Sequence, residues 1–81
     1  MIEIETTLKK IISEITDLPT VELGSTLKDL GIDSLQVIIL LAKIESSFDI
    51  EIEEEDLDIK NFNSVQSVLN MINRILKINM G

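Results

Sequence analysis

The segment Leu30–Leu35, which reads Leu-Gly-Ile-Asp-Ser-Leu and leads into the apolar run Val37–Ile44, most restricts how this chain can fold. Gly31 can adopt the positive φ that a tight turn requires, and Asp33 is a preferred N-cap residue whose carboxylate suits the positive end of a helix dipole. Ser34 then falls on the first turn, where unpaired backbone N–H groups would favour a phosphate on its hydroxyl. The segment therefore predicts an exposed, modifiable serine at the start of a helix.

Two residue types that enzymes commonly use are missing from the chain. It contains no cysteine and no histidine, which excludes disulfides and thiolate metal sites and removes the commonest general base and metal ligand. Ser34 therefore has no histidine to activate it as a nucleophile. We predict a protein without enzyme activity and without a metal site, in which any thiol must come from a cofactor.

Length and charge restrict the architecture and the partners. The 81 residues suit a single domain over residues 1–81. The net charge is −8, and residues 51–58 contribute −6 of it whereas residues 59–81 contribute +3. Such a surface repels nucleic acid and anionic membranes and favours basic protein partners. Because the longest apolar stretch, Val37–Ala42, is too short to span a bilayer, we expect a cytoplasmic protein. We also expect a monomer.

Apolar residues recur at helical spacing in most of the chain, which predicts an all-α fold, a small four-helix bundle of three longer helices and one short helix. The predicted helices are residues 2–16, 34–48, 54–60 and 64–77, with residues 78–81 frayed. A long ordered loop, residues 17–33, precedes helix two, and we expect Leu27 and Leu30 to anchor it. Asn63 and Gln66 form a capping signal for the last helix.

Helix two is more apolar than a single buried face requires. Leu40, Ile44 and Phe48 share one stripe and are predicted core residues, with Leu41 at its edge. The apolar residues on or near a different stripe are Leu35, Ile38, Ile39 and Ala42. We predict that this second stripe is an exposed docking surface beside Ser34. The alternative is a broader core that buries the whole run.

The acidic run Glu51–Asp58 could suggest a calcium-binding loop, but its pattern does not support one. An EF-hand loop needs oxygen ligands at alternating positions, a central glycine and a closing glutamate, whereas this run contains apolar residues and no glycine. We predict a partner-facing surface in which Glu54, Glu55 and Asp56 make contacts. The predicted inward contacts of the short third helix are Ile52, Leu57, Ile59 and Phe62.

This pattern resembles that of the acyl carrier proteins, whose hallmark is a Leu-Gly-x-Asp-Ser-Leu segment with a serine that carries 4′-phosphopantetheine. The resemblance continues without a gap beyond the motif and fails only in the C-terminal tail. The matching positions after Asp33-Ser34-Leu35 are Leu40, Ile44, Glu45, Phe48–Ile52 and Val65-Gln66. The resemblance implies a carrier protein, modified at Ser34.

In such a protein a phosphopantetheinyl transferase moves the arm from coenzyme A onto the serine, and the thiol of the arm then bears an acyl group as a thioester. The further implied partners are an acyl-loading ligase or acyltransferase and the ketosynthase, condensation or other enzymes that process the acyl group. By the same resemblance Asp33 helps the transferase bind its metal and cofactor. The partner contacts that we expect on helix two are Leu35, Gln36, Ile38, Ile39 and Ala42.

The chain departs from the familiar fatty-acid members of this family. Gln36 and Ile39 replace two acids, Lys43 adds a positive charge, and the stretch from Glu53 to Phe62 is longer than usual and lacks a frequent preceding proline. Fatty-acid, polyketide and other specialised pathways therefore remain open. So do a peptidyl or aminoacyl carrier and an unmodified interaction module, while a small hydrolase is remote because histidine is absent.

Overall fold

The computed structural model describes residues 3–80, and all of its regular structure there is helical. The α-helices are α1 (Ile4–Thr16), α2 (Ser34–Phe48) and α3 (Val65–Met80), and two short 3-10 helices lie between α2 and α3 at Glu54–Asp56 and Ile59–Phe62. Helix α1 packs against α2 and α3, and α3 also contacts the second 3-10 helix. None of the described helices is long and apolar enough to cross a membrane.

The predicted short helix over residues 54–60 is wrong, and with it the count of four helices. The first 3-10 turn closes on itself, because the Asp56 carboxylate accepts a hydrogen bond from the Glu53 N–H at 3.2 Å. A second turn begins at Asp58, whose carboxylate accepts from the Lys60 N–H at 3.1 Å. Acidic side chains that bond to their own backbone compete with a continuous helix, so the chain makes two turns here.

Helix α1 buries one apolar face and ends where the sequence predicts. Leu8 and Ile12 are completely buried in the core that α1 shares with α2 and α3. The helix is closed by Asp17, which adopts a left-handed conformation and donates from its backbone N–H to the Ser13 carbonyl at 2.8 Å. Its predicted first residue, Ile2, lies outside the described part of the chain.

Helix α2 has the predicted bounds and the predicted core stripe. Leu40 and Ile44 are completely buried and Phe48 nearly so, while Leu41 is half-buried at the edge of the stripe. Asp49 ends the helix in a left-handed conformation, with φ at 52°. The stripe therefore anchors one face of α2 and leaves the opposite face to solvent.

Helix α3 is capped by Ser64 instead of the predicted Asn63. The Ser64 hydroxyl oxygen accepts from the Ser67 N–H at 3.1 Å, whereas the Asn63 carbonyl accepts from the Leu27 N–H at 3.3 Å. Gln66, the other half of the predicted signal, bonds through its side chain to Asn70 at 3.0 Å. The helix also continues to Met80, beyond the predicted end at residue 77. The tail up to Met80 is therefore helical, and only residue 81 lies outside the described range.

The long loop between α1 and α2 is held by side chains and by backbone pairing with the start of α3. Leu27 is buried and Leu30 is half-buried, which confirms both predicted anchors. The Val65 N–H donates to the Ser25 carbonyl at 3.0 Å, and the Gln66 N–H donates to the Leu23 carbonyl at 3.0 Å. This pairing satisfies donors at the first turn of α3 and fixes the loop that leads to Ser34.

Candidate functional site

The turn before Ser34 is built around Gly31 and a buried isoleucine. Gly31 has a φ of +78°, as the sequence predicts, and its N–H donates to the Lys28 carbonyl at 3.0 Å. The next residue, Ile32, is 6% exposed, and its N–H donates to the Leu27 carbonyl at 2.9 Å. Ile32 anchors the end of the loop in the core, and the next two residues, Asp33 and Ser34, are exposed.

Asp33 caps α2 through a reciprocal pair of hydrogen bonds. Its Oδ1 accepts from the Gln36 N–H at 2.9 Å, and its own N–H donates to Gln36 Oε1 at 3.2 Å. The predicted N-cap role is therefore confirmed. Gln36, which we expected to be a partner contact, is half-buried, and its side-chain oxygen accepts one of the hydrogen bonds of this cap.

Ser34 is exposed at the first position of α2. The N–H groups of Gln36 and Val37 donate to Asp33. Those of Ser34 and Leu35 precede the first hydrogen bond within the helix, so the helix itself offers them no acceptor. A phosphodiester on the Ser34 hydroxyl would lie beside these donors at the positive end of the helix dipole. The exposed hydroxyl and the adjoining donors fit a covalently attached phosphopantetheine group.

The second apolar stripe of α2 is exposed, so the interpretation as a broader core is wrong. Leu35 and Ile38 are 68% and 64% exposed, Ile39 is 43% exposed, and Ala42 is also exposed. We call these four residues the apolar patch. Leu57 was expected to point inward, but it is 50% exposed, because it follows the first 3-10 turn instead of lying on a helix face.

Leu57 extends the apolar patch across to the segment between α2 and α3. It lines a shallow depression together with Ile38 and Ala42 from the patch and with the half-buried Ile52. Glu45 closes this depression, and its Oε2 accepts from the Ile52 N–H at 2.9 Å. The patch is therefore a surface shared by two segments, which the helical periodicity of α2 could not indicate.

The predicted acidic contacts divide into exposed and structural carboxylates. Glu54 and Glu55 are exposed, whereas Asp56 is half-buried and its carboxylate bonds to the Glu53 N–H. In the described part of the chain no group of acids is arranged to hold a metal ion. Glu54 and Glu55 are therefore exposed to solvent, as is the nearby Leu57. The side chain of Ile59, predicted to point inward, lies outside the described part of the structure.

An open groove of about 1010 Å³ begins at Ser34. Its apolar lining comes from the loop, from α2 and from the segment before α3: Leu27, Ile32, Val37, Leu41, Leu57 and Phe62. Its polar lining includes Asp33, Asn63 and two cations, Lys28 and Lys60. The two lysines are not among the site residues predicted from the sequence. The signal was an isolated lysine in each of the two segments that connect the α-helices, one of them shortly after an acidic run.

Comparisons with known proteins identify the family of the chain. The family described as "Phosphopantetheine attachment site" matches residues 6–75. An acyl carrier protein of Buchnera aphidicola is 40% identical over 76 residues, which cover 90% of this chain and 94% of the relative. The solved acyl carrier protein of Thermotoga maritima is 32% identical, with a TM-score of 0.76 over 91% of this chain and 87% of that one.

A more distant likeness shows the fold alone. A carrier protein of Bradyrhizobium japonicum, solved with its glycine:[carrier protein] ligase, superposes with a TM-score of 0.81 at 22% identity and covers 88% of this chain and 96% of that one. The family match spans most of the chain and includes the Asp-Ser-Leu junction at the head of α2. The chain therefore belongs to the acyl carrier proteins, which bear acyl groups as thioesters on a covalent 4′-phosphopantetheine arm and are carriers, not enzymes.

Proposed function

We propose that the phosphopantetheine arm is attached to Ser34. The chain has seven serines, and Ser34 is exposed at the first turn of an α-helix. Ser64 and Ser67 are half-buried and bonded to each other at the start of α3. Ser46 and Ser47 are exposed, but they lie in the last turn of α2, where the helix dipole disfavours a phosphate. Exposure and a favourable dipole therefore coincide at Ser34.

Asp33 is proposed to serve the transferase as well as the helix. Its Oδ1 holds the cap, and the side chain is exposed directly before Ser34. A carboxylate in this place offers a ligand to the metal ion that accompanies coenzyme A in the transferase, because divalent cations prefer oxygen ligands. The cap orients Asp33 and Ser34 together, so one local structure would present both to the enzyme.

The attachment is tested by incubating the purified chain with coenzyme A and a broad-specificity phosphopantetheinyl transferase. We expect a gain of one phosphopantetheinyl mass by intact-protein mass spectrometry, and no gain for Ser34→Ala. Ser46→Ala is the matched control, since it removes an equally exposed hydroxyl from the other end of the same helix. Modification of Ser34→Ala would overturn the assignment, and a wild-type chain that stays bare would support an unmodified interaction module.

The apolar patch is proposed as the surface on which partner enzymes dock. The patch lies on α2 directly after Ser34, so an enzyme that contacts it holds its active site near the arm. Gln36 and Ile39 stand where fatty-acid carriers have acids, and recognition here would rest on apolar contact, with Glu54 and Glu55 as a charged rim. The proposed partners are the transferase, an acyl-loading ligase or acyltransferase, and ketosynthase, condensation or other acyl-processing enzymes.

We propose a single-domain, monomeric, cytoplasmic carrier for fatty-acid, polyketide or other specialised biosynthesis, and the departures at Gln36 and Ile39 favour a specialised pathway over the housekeeping fatty-acid route. A second candidate is an aminoacyl or peptidyl carrier, which is favoured by the likeness in fold to a carrier protein solved with a glycine:[carrier protein] ligase. The thioester found on protein purified from its native host distinguishes the two candidates. A small acyl or polyketide intermediate supports the first, and an amino acid supports the second.

A further inference from the structure

We infer that the groove beside Ser34 selects its occupant by charge and favours acyl groups that end in a carboxylate over those that end in an ammonium group. This inference rests on the proposed attachment at Ser34, and it adds the class of acyl group that the site accepts. The occupant is the chain's own arm, because Ser34 itself lines the groove.

The groove is lined by more basic than acidic side chains in a protein that is otherwise acidic. The net charge of the chain is −8 and it has seven lysines and arginines, yet Lys28 and Lys60 both line this one groove. Asp33 is the carboxylate among the lining residues, and its Oδ1 is engaged in capping α2. The lining side chains therefore carry two positive charges against one negative charge, which is opposite in sign to the net charge of the whole molecule.

Neither ammonium group is held in a short ion pair with a described carboxylate. Lys60 lies 3.9 Å from Asp58 Oδ2, at the outer limit of an ion pair, and its side chain is 81% exposed. The other ion pair in the described part of the chain joins Lys9 to Glu5 on α1, so no described carboxylate neutralises Lys28 at close range. An anionic occupant would gain two partners, whereas a cationic one would meet two like charges.

Tethering makes these weak interactions effective. An arm anchored at Ser34 keeps its acyl group near the groove at an effective concentration on the order of millimolar. The apolar walls, with Leu57 and Phe62 among them, accept methylene groups of any acyl chain and do not discriminate by charge. Lys28 and Lys60 supply the discrimination, and each exposed lysine is expected to change the groove-bound population of a charged group by about threefold.

The test uses the full chain loaded by a transferase with adipyl, hexanoyl or 6-aminohexanoyl arms. An amide replaces the thioester in each arm, so that the terminal groups cannot attack it. The groove-bound fraction is measured by NMR from the displacement of the backbone amide signals of residues 57–63 relative to a chain with an unacylated arm. We expect adipyl to occupy the groove more than 6-aminohexanoyl, with a difference that shrinks as salt screens the charges.

Charge-removing variants connect the preference to the two lysines. Lys28→Gln and Lys60→Gln should each lower the adipyl population by about threefold and leave the hexanoyl population unchanged. Lys10→Gln is the control, because it removes the same charge from α1, away from the groove. Equal occupancy by adipyl and 6-aminohexanoyl, or a preference that survives both substitutions, would overturn the inference. A chain that gains no arm at all refutes the attachment at Ser34 itself, and mass spectrometry detects that failure before the groove is tested.

Discussion

Nη2 of Arg74 on α3 donates a hydrogen bond to Oδ1 of Asn61 at 3.1 Å. The amide of Asn61 in turn donates through Nδ2 to the Asp56 carbonyl at 2.7 Å. Asn61 is the one polar residue in the described part of the chain that is buried to the level of the core. This pair therefore fixes the two 3-10 turns to α3, and these turns carry Leu57, Lys60 and Phe62, which form one wall of the groove.

Loss of the Asn61 side chain should destabilise the protein. In Asn61→Ala the Asp56 carbonyl and the Arg74 guanidinium lose their partner, and we expect a decrease of about 1–3 kcal/mol in the free energy of unfolding in urea. Lys77→Ala is the control, since it shortens an exposed side chain on the same helix. Equal stability of the two variants would contradict a structural role for this pair.

Asp33 combines a capping role with a proposed role in modification, and two substitutions separate them. Asp33→Ala removes the cap and should lower the free energy of unfolding by about 0.5–2 kcal/mol. Asp33→Asn keeps an oxygen that can accept from the Gln36 N–H, so it should be nearly as stable as the wild type. The asparagine variant should nevertheless be modified more slowly by the transferase, because it lacks the carboxylate. If Asp33→Asn were modified at the wild-type rate, the carboxylate would have no role in modification, and Asp33 would act only as a helix cap.

The two glycines of the loop form a matched pair. A Cβ would have nothing within 4 Å at either Gly24 or Gly31, but Gly31 has a φ of +78°. We expect Gly31→Ala to cost about 1–2 kcal/mol in the free energy of unfolding, because an L side chain is strained in that conformation. Gly24→Ala should be neutral or stabilising by up to about 1 kcal/mol, since alanine restricts the unfolded chain. Urea denaturation of both variants measures the difference, and equal losses would argue against strain at Gly31.

Docking through the apolar patch is tested with two isoleucines of similar exposure. Ile38 on α2 is 64% exposed and Ile78 on α3 is 75% exposed. The few residues that dominate an interface cost more than about 1 kcal/mol each when they are truncated, so Ile38→Asp should weaken the affinity for the transferase or a loading enzyme by about tenfold. Ile78→Asp adds the same charge outside the patch and should leave the affinity unchanged. Calorimetry on the modified chain measures both, and equal effects would mean that charge, not the patch, governs docking.

Local interactions explain why so much of α2 could be predicted from the sequence. The cap at Asp33 joins residues that are three apart, and the stripe of Leu40, Ile44 and Phe48 follows from helical periodicity alone. Periodicity also separates the second stripe from the first, but a broader core would bury both, and the exposed fractions in the structure decide between the two. The family was also recognisable from the sequence, since its motif is the same junction of loop and helix.

The wrong predictions arise where hydrogen bonds from side chains or from distant residues override the usual local preference. Asn63 satisfies the usual preference for an N-cap, but its carbonyl pairs with Leu27 from the loop, and the cap passes to Ser64. The predicted short helix fails because acidic side chains close separate turns and Asn61 fixes them to α3. Periodicity does not report such long-range pairings.

The sequence by itself determined the helical class, the position of Ser34 directly after the cap at Asp33 and the separation of two apolar stripes on α2, because each depends on residues only a few positions apart. Only the tertiary structure decided that Lys28 and Lys60 line one groove with Ser34. Lys28 lies in the loop before α2 and Lys60 in the second 3-10 helix, and the side-chain and backbone contacts of those two segments with the rest of the fold bring them together. Their proximity is therefore a property of packing and cannot be read from spacing along the chain.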